Sequence, residues 1–209
     1  MKLYDFPGPP SPRRVRVFLA EKGVEIEVVA VNIREGAHFK PEFANVNARL
    51  TIPALELDDG TVLNESEAIQ RYVEEKYPAN PLFGRTPEER AVVTNWLRII
   101  ECDGYMAVAE ALRNSSPRFE NRALTGPRDI AQIPELGVRG KARIGYFFEE
   151  LDKQLVNNEF IVGDTYTVAD VNALVAVDFA GMLEQAIPEN CPNLARWHAA
   201  VSARPSAKA

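Results

Sequence analysis

Cysteine is scarce in this chain. Cys102 and Cys191 are the only two, and they form neither a C-x-x-C pair nor a metal-ligand spacing, which excludes a disulfide scaffold and a cysteine-built metal centre and fits a reducing compartment. Positive charge is in deficit as well. Lys and Arg number 24 against 30 Asp and Glu, a net charge of -6, so the basic stripe of a general nucleic-acid binder is missing. No apolar run approaches the length of a bilayer span, and Met1 to Asp5 carry no secretory apolar core, so the expected location is cytoplasmic. There is no Gly-rich phosphate loop, no H-E-x-x-H and no cluster of ligating residues, so neither a nucleotide nor a metal is expected. Repeats and low-complexity tracts are absent too.

What is present suffices for a folded core. The chain has 209 residues, of which 46% are hydrophobic and 26% charged, enough for one large domain or two small ones. The most informative stretch is Thr51-Ile52-Pro53-Ala54-Leu55-Glu56-Leu57-Asp58-Asp59-Gly60, followed by Thr61 to Ile69. Asp59-Gly60 predicts a two-residue hairpin turn with both residues at positive φ, joining strands over Ala54–Leu57 and Thr61–Leu63. Ser66 then reads as the N-cap of a helix with an apolar stripe at Ile69, Tyr72 and Val73. Proline cannot donate to a sheet ladder and belongs at a strand start or edge. Pro53 there leaves the backbone of Ile52 able to pair with something outside the sheet. A helix N-terminus offers N–H groups to an anion, and Glu65 beside it offers a carboxylate to a cation. This arrangement suits a zwitterionic, peptide-like ligand. An ordinary capped helix after an ordinary hairpin is the other reading of the same residues.

Before this stretch, Lys2 to Phe6 reads as a strand and Pro7 to Pro10 as an irregular loop. Ser11 is placed to cap a helix with Pro12 at its first position. Val15, Phe18 and Leu19 give that helix an apolar stripe, and Gly23 stops it. Glu25 to Ile33 predicts a second strand, hence a parallel pair with a crossover helix. Residues 34–41 form a loop, and Pro41 to Asn45 one helical turn. After it, Tyr77 to Gly84 is rich in Pro and Gly and reads as a linker, dividing the chain into domains 1–79 and 86–209. Thr86-Pro87-Glu88-Glu89 opens a long helix expected to reach about Leu112. Arg113 to Pro134 is irregular. A further helix fits Leu136 to Leu155, weakened by Gly137, Gly140 and Gly145. Thr167 and Asp170 form a capping box for the next helix, and Pro192 opens a last one.

The segments PRRVRVFLAEKG, NARLTIPALELDDG and NESEAI, in this order, resemble the thioredoxin-like N-terminal domain of soluble glutathione S-transferases. The loop REGAHFKPEF is similar to that of theta-like bacterial members, and the helical half resembles the family's C-terminal domain. The resemblance implies an α/β thioredoxin-like domain followed by an all-α domain. It also implies a cis Ile52-Pro53 bond with Ile52 pairing to the cysteinyl part of glutathione. Glu65 and Ser66 would hold the γ-glutamyl amine and carboxylate. His38, with Lys40, would reach the glycyl carboxylate, although a loop histidine is also commonly just solvated. Glutathione is then the co-substrate, a hydrophobic electrophile the second substrate, detoxification the role and a two-fold homodimer the assembly, with Asp103 near the neighbour's site or simply solvated.

Two departures stand out. Asn47-Ala48-Arg49-Leu50 replaces the family's Asn-Pro-x-Gly. The position of the catalytic Ser or Cys falls on Pro9, which has neither hydroxyl nor thiol, while that of a catalytic Tyr falls near Asp5, with Tyr4 expected on the opposite strand face. Ser11 is the nearest hydroxyl, with two readings that can coexist: activation of the sulfur, or capping. In the helical half Tyr105, Met106, Ala109 and Leu112 share a helix face, either as core or dimer packing or as lining of the second-substrate pocket. That pocket is expected to be open, because little chain follows Arg204. The functional expectation is a glutathione transferase. The alternatives are a non-catalytic glutathione-binding protein of the same fold, favoured by Pro9, or a glutathione-dependent disulfide reductase.

Overall fold

The structure is a computed structural model that describes residues 1–209. The chain divides into two units, one of Met1–Asn80 with Leu124–Asp129 and Ala209, the other of Pro81–Ala123 and Ile130–Lys208.

The first unit runs β1 (Lys2–Asp5), α1 (Pro10–Lys22), β2 (Glu27–Ala30), two 3-10 turns (Ile33–Glu35 and Ala37–Phe39), α2 (Pro41–Ala44), β3 (Ala54–Glu56), β4 (Val62–Leu63) and α3 (Ser66–Lys76). The 4-stranded sheet has the order β2-β1-β3-β4. β1 is parallel to β2 and antiparallel to β3, with Leu3 opposite Leu55 and Tyr4 opposite Ala54. Successive strand residues face opposite ways. Tyr4 and Ala54 therefore share one face, where they pack with Val31, Phe43, Val46 and Ile52. Leu3 and Leu55 point to the other, and they are buried, as are Val15 and Phe18 of α1 and Ile69 and Val73 of α3.

Gly23 ends α1 in the left-handed region at φ 63, with its N–H on the Ala20 carbonyl and that of Val24 on Leu19, the arrangement glycine favours at a helix end. Lys22 in the last turn is buried. Its Nζ pairs with Glu74 Oε2 at 2.8 Å and donates to the carbonyls of Ala79 at 2.6 Å and Asn80 at 3.1 Å. This one ammonium thus holds α3, and the chain leaving it, against the end of α1.

Several local expectations are corrected. The hairpin loop has three residues, Asp58 to Gly60. Leu57 N–H bonds Thr61, Gly60 N–H bonds Leu57, and Gly60 alone has positive φ, at 85. A type I turn followed by one left-handed residue closes such loops, so Asp59 needs no positive φ. The second strand is shorter than Glu25–Ile33, because Asn32 caps the 3-10 turn that follows and ends the ladder. Neither expected serine cap exists. Pro9 is the N-cap residue of α1 with Pro10 at its first position, and Glu65 is that of α3, with no side-chain cap at either. Ser11 and Ser66 each lie one or two positions inside their helix.

The second unit contains α4 (Pro87–Ile99), a π-helical turn (Ile100–Tyr105), α5 (Met106–Ser115), a 3-10 turn (Pro117–Phe119), α6 (Pro134–Gln154), α7 (Val168–Ala180) and α8 (Pro192–Ser202), with short 3-10 turns after α7 and α8. Thr86 caps α4 by accepting from Glu89 N–H at 3.2 Å. The expected single long helix is continuous through α4 and α5 but carries the π turn. Arg143 of α6 donates to the Cys102 carbonyl there and pairs with Asp103 at 3.2 Å, so Asp103 is not simply solvated. Of the glycines thought to weaken α6, Gly140 allows close approach instead, whereas a Cβ on Gly145 would meet open space. A Cβ on Gly140 would stand 2.7 Å from Ala111 N and 2.8 Å from Ala107 O, so only glycine lets α6 lie this close to α5. In the same way Gly104 of the π turn receives the Phe147 ring.

α7 is buried along nearly its whole length, as a helix apolar on all sides must be. Its Thr167–Asp170 capping box is formed. Asp170 also accepts from Ile161 N–H at 3.0 Å and Trp197 Nε1–H at 2.9 Å, tying α8 to the start of α7. Burial pushes its carboxyl up, and these donors oppose that. The role is architectural. No helix in the chain is long and apolar enough to cross a membrane.

Candidate functional site

In the first unit, the loop entering β3 sets the geometry. Asn47 is buried and works in three directions. Its amide donates to the Thr51 carbonyl at 2.7 Å, while its oxygen accepts from Arg49 N–H at 3.0 Å and Asn64 Nδ2 at 3.3 Å. One side chain thus shapes the segment that replaces the family's Asn-Pro-x-Gly and anchors it to the residue before Glu65. The Ile52-Pro53 bond is cis. Pro53 is buried and Ile52 half-buried. Ile52 lies two residues before the start of β3, and no hydrogen bond within the chain engages its N–H or C=O. A backbone donor and acceptor stand ready for an extended peptide.

The start of α3 lies beside this edge. Ser66 is 4% exposed, and its hydroxyl donates to the Ser11 carbonyl at 3.0 Å. That bond, between residues remote in sequence, brings the N-termini of α3 and α1 together. Glu65 is exposed and meets Arg49 Nη2 at 3.0 Å, an ion pair of the kind that contributes little in water and rearranges easily. The structure therefore brings Ile52, Pro53, Glu65, Ser66 and Ser11 to one edge and adds Arg49, Asn47 and Asn64, which the sequence reading missed. Polar residues flanking the Ile-Pro pair were the available signal.

His38 lies half-buried in the second 3-10 turn, its ring 3.8 Å from that of Phe39. Its neighbour Ala37 packs in the same apolar cluster as Ile52. Lys40 is exposed at the cap position of α2. Tyr4 is committed elsewhere. Its hydroxyl donates to Glu56 Oε2 at 2.7 Å, its ring packs 5.7 Å from Phe43, and the bond to Glu56 pushes its pKa up to about 12. Asp5 accepts from Arg16 Nη1 at 2.8 Å and 3.0 Å. Pro9, Pro10, Ser11 and Pro12 occupy the first positions of α1. Helix starts present N–H groups that have no intrahelical partner. Proline has none to present, so the N–H at these positions is that of Ser11.

In the second unit, Tyr105, Met106, Ala109 and Leu112 lie off the buried side of α5, which is formed by Ala107, Val108, Ala111 and Asn114. Met106 is 45% exposed. Tyr105, Ala109 and Leu112 are half-buried, with the Tyr105 ring 5.3 Å from Phe179. Reading these four as core is thereby corrected, because another face of the helix takes the core. Arg113 continues the stripe, and burial pushes its guanidinium below the ordinary value. A separate open concavity of about 520 Å³ lies between the end of α5 and the start of α6, lined by Asn114, Pro117, Glu120, Val138 and Lys141 among others. None of the expected site residues faces it.

Comparison with known proteins agrees with this architecture. The family described as glutathione S-transferase, N-terminal domain, matches residues 1–75, and that described as glutathione S-transferase, C-terminal domain, matches residues 139–205. The chain is 32% identical to glutathione S-transferase 2 of Saccharomyces cerevisiae, over 100% of this chain and 88% of that protein. It is similar in structure to a glutathione S-transferase domain-containing protein of Marinobacter aquaeolei VT8, with a TM-score of 0.88, 35% identity and coverage of 99% of each chain. It is also similar to the glutathione transferase URE2P6 of Phanerochaete chrysosporium, solved in complex with oxidized glutathione, with a TM-score of 0.83 and 26% identity over 99% of this chain and 93% of that one. With a four-stranded thioredoxin-like unit followed by an all-helical one, and with full-length similarity to these proteins, the chain belongs to the glutathione S-transferase family.

Proposed function

We propose that the protein binds glutathione along the Ile52 edge of the first unit, activates its sulfur at the start of α1, and transfers the thiolate to an apolar electrophile carried by the Tyr105–Leu112 face of α5. The observation that carries this reading is the unengaged Ile52 backbone beside the paired helix starts. An extended cysteinyl residue would donate to the Ile52 carbonyl and accept from its N–H, as strands added to a sheet edge do. The γ-glutamyl carboxylate would meet the Ser66 and Glu67 N–H groups at the start of α3, and its amine the Glu65 carboxylate. Arg49 would turn from Glu65 toward the same carboxylate. His38 and Lys40 would hold the glycyl end.

The chemistry needs the thiolate, because a thiol with pKa about 8.5 is only a few per cent ionised at neutral pH. The Ser11 hydroxyl and N–H, with the positive end of α1, stabilise the anion, while the thiol proton leaves to solvent. The sulfur lone pair then forms a bond to the electrophilic carbon, and the leaving group departs with its electron pair. The first unit contains no cysteine, so a disulfide reductase working through a protein thiol has no nucleophile there. Both cysteines are free, which fits the cytoplasm. A two-fold dimer is the assembly that fits exposed Val92 of α4 and Tyr146 of α6, apolar groups that a second copy would cover.

Titration calorimetry tests the binding half of this reading. Parent protein should bind glutathione, and Glu65→Ala should weaken it by about 1–3 kcal/mol, the scale of a charge-assisted hydrogen bond. Unchanged affinity in that variant would remove Glu65 from the site. Turnover of glutathione with an aryl halide tests the catalytic half, and a parent that binds glutathione but turns over none of a panel of electrophiles would favour the non-catalytic alternative.

A further inference from the structure

The stripe on α5 does not stop at Leu112. Arg113 stands eight residues after Tyr105 and four after Ala109, so the three lie in line along the helix. The Arg113 guanidinium is half-buried and held from two sides. Nη1 donates to the Arg122 carbonyl at 2.6 Å, and the cation sits 4.7 Å from the centroid of the Phe119 ring. The titratable groups that act on it are the Tyr105 phenol and a second cation, Arg122.

No carboxylate pairs with Arg113. The nearby acids on the same helical stretch are taken: Glu110 by Arg139 and Arg143, and Asp103 by Arg143. A cation withdrawn from water and left without an anion is costly, which is why such groups are normally paired. The guanidinium carries five N–H donors in a fixed fork suited to a planar oxyanion. One contact with Arg122 and one ring face leave most of that fork for something else. Its position in line with Tyr105 and Ala109 places it at the end of the face assigned above to the second substrate.

We propose that Arg113 binds a carboxylate on the second substrate and makes this transferase selective for electrophiles that carry one. The inference rests on the reading that the Tyr105–Leu112 face carries that substrate. Arg113 then acts as a specificity-determining residue: it touches a substituent of the electrophile, away from the carbon that is attacked, and is held in place by Phe119 and the Arg122 carbonyl.

Two glutathione conjugates that differ in a single group provide the test, namely S-(4-carboxy-2-nitrophenyl)glutathione and S-(4-carbamoyl-2-nitrophenyl)glutathione. Calorimetry on the full chain measures the affinity of each, and that of glutathione alone, for the parent, Arg113→Gln and Arg113→Lys. Parent protein should bind the carboxylate conjugate about tenfold tighter or more than the carbamoyl one, as a charge-assisted hydrogen bond implies. Arg113→Gln should abolish that preference, Arg113→Lys should keep part of it, and glutathione alone should bind equally to all three. Equal affinity of the parent for both conjugates overturns the proposal, even if the glutamine variant fails to fold. A preference that survives in Arg113→Gln also overturns it. Weaker binding of glutathione itself in that variant would assign Arg113 to the glutathione site and overturn it too. A parent that binds neither glutathione nor either conjugate would instead defeat the glutathione reading, and this proposal with it.

Discussion

Ser11→Ala separates the possible sources of thiol activation, because of where the structure places that residue. The substitution removes the hydroxyl and keeps the backbone groups of the helix start. Pro9, not Ser11, is the N-cap residue of α1, so the loss of about 1 kcal/mol that follows removal of a capping side chain does not apply. The bond from Ser66 is accepted by the Ser11 carbonyl, which alanine keeps. The Ser11 N–H also survives, in a helix start where Pro9, Pro10 and Pro12 provide none. If the hydroxyl donates to the thiolate, its loss costs about 1.5–3 kcal/mol, the range for hydrogen bonds to charged groups. At about 1.4 kcal/mol per unit, the pKa of the bound thiol should rise by about one to two units. The thiolate fraction at neutral pH would fall about ten- to a hundredfold, and turnover with it, while glutathione affinity stays nearly unchanged. A helix dipole acting alone contributes about 0.3–1 kcal/mol, less than one pKa unit. Titrating the bound thiolate by its ultraviolet absorbance in parent and variant reads the difference directly. An unshifted curve, with the melting temperature also unchanged, would show that Ser11 does not activate the sulfur through its hydroxyl and would leave the N–H and the helix end as the stabilising groups.

Other consequences follow from named contacts. Lys22→Met takes the ammonium away from the buried Glu74 carboxylate and from two carbonyls, so unfolding stability should fall, by up to about 3–5 kcal/mol, the loss typical of a broken buried ion pair. Adding Glu74→Leu should recover part of that loss, and a urea midpoint unchanged in the single variant would refute the role given to this pair. The proposed two-fold dimer, which would cover Val92 and Tyr146, should give a dimer mass in light scattering at micromolar concentration, and a monomer mass would exclude it.

The sequence alone carried the fold far. The apolar segments either side of Asp59-Gly60, whose loop is one residue longer than expected, the Gly23 stop, the Thr86-Pro87 start and the Thr167–Asp170 box are local signals, each set by residues a few positions apart. They held, with boundary shifts, because hairpin, cap and helix-end energetics are local. The Ile52-Pro53 pair was legible for the same reason, since a proline at a strand start frees the residue before it. What the sequence could not decide depends on segments distant in the chain. Ser66 and Ser11 looked like caps because serine before an apolar run usually is one, whereas the folded chain uses the Ser66 hydroxyl to join two helices. Gly140 looked like a helix weakness until the α5 backbone that fills its missing Cβ space was in place. Arg113 read as the start of a polar loop, and only the tertiary structure, by burying it on the α5 stripe and giving its neighbouring acids to other arginines, showed a cation without an anion. Periodicity states which face a residue occupies, but what that face meets is decided by the packing of remote elements.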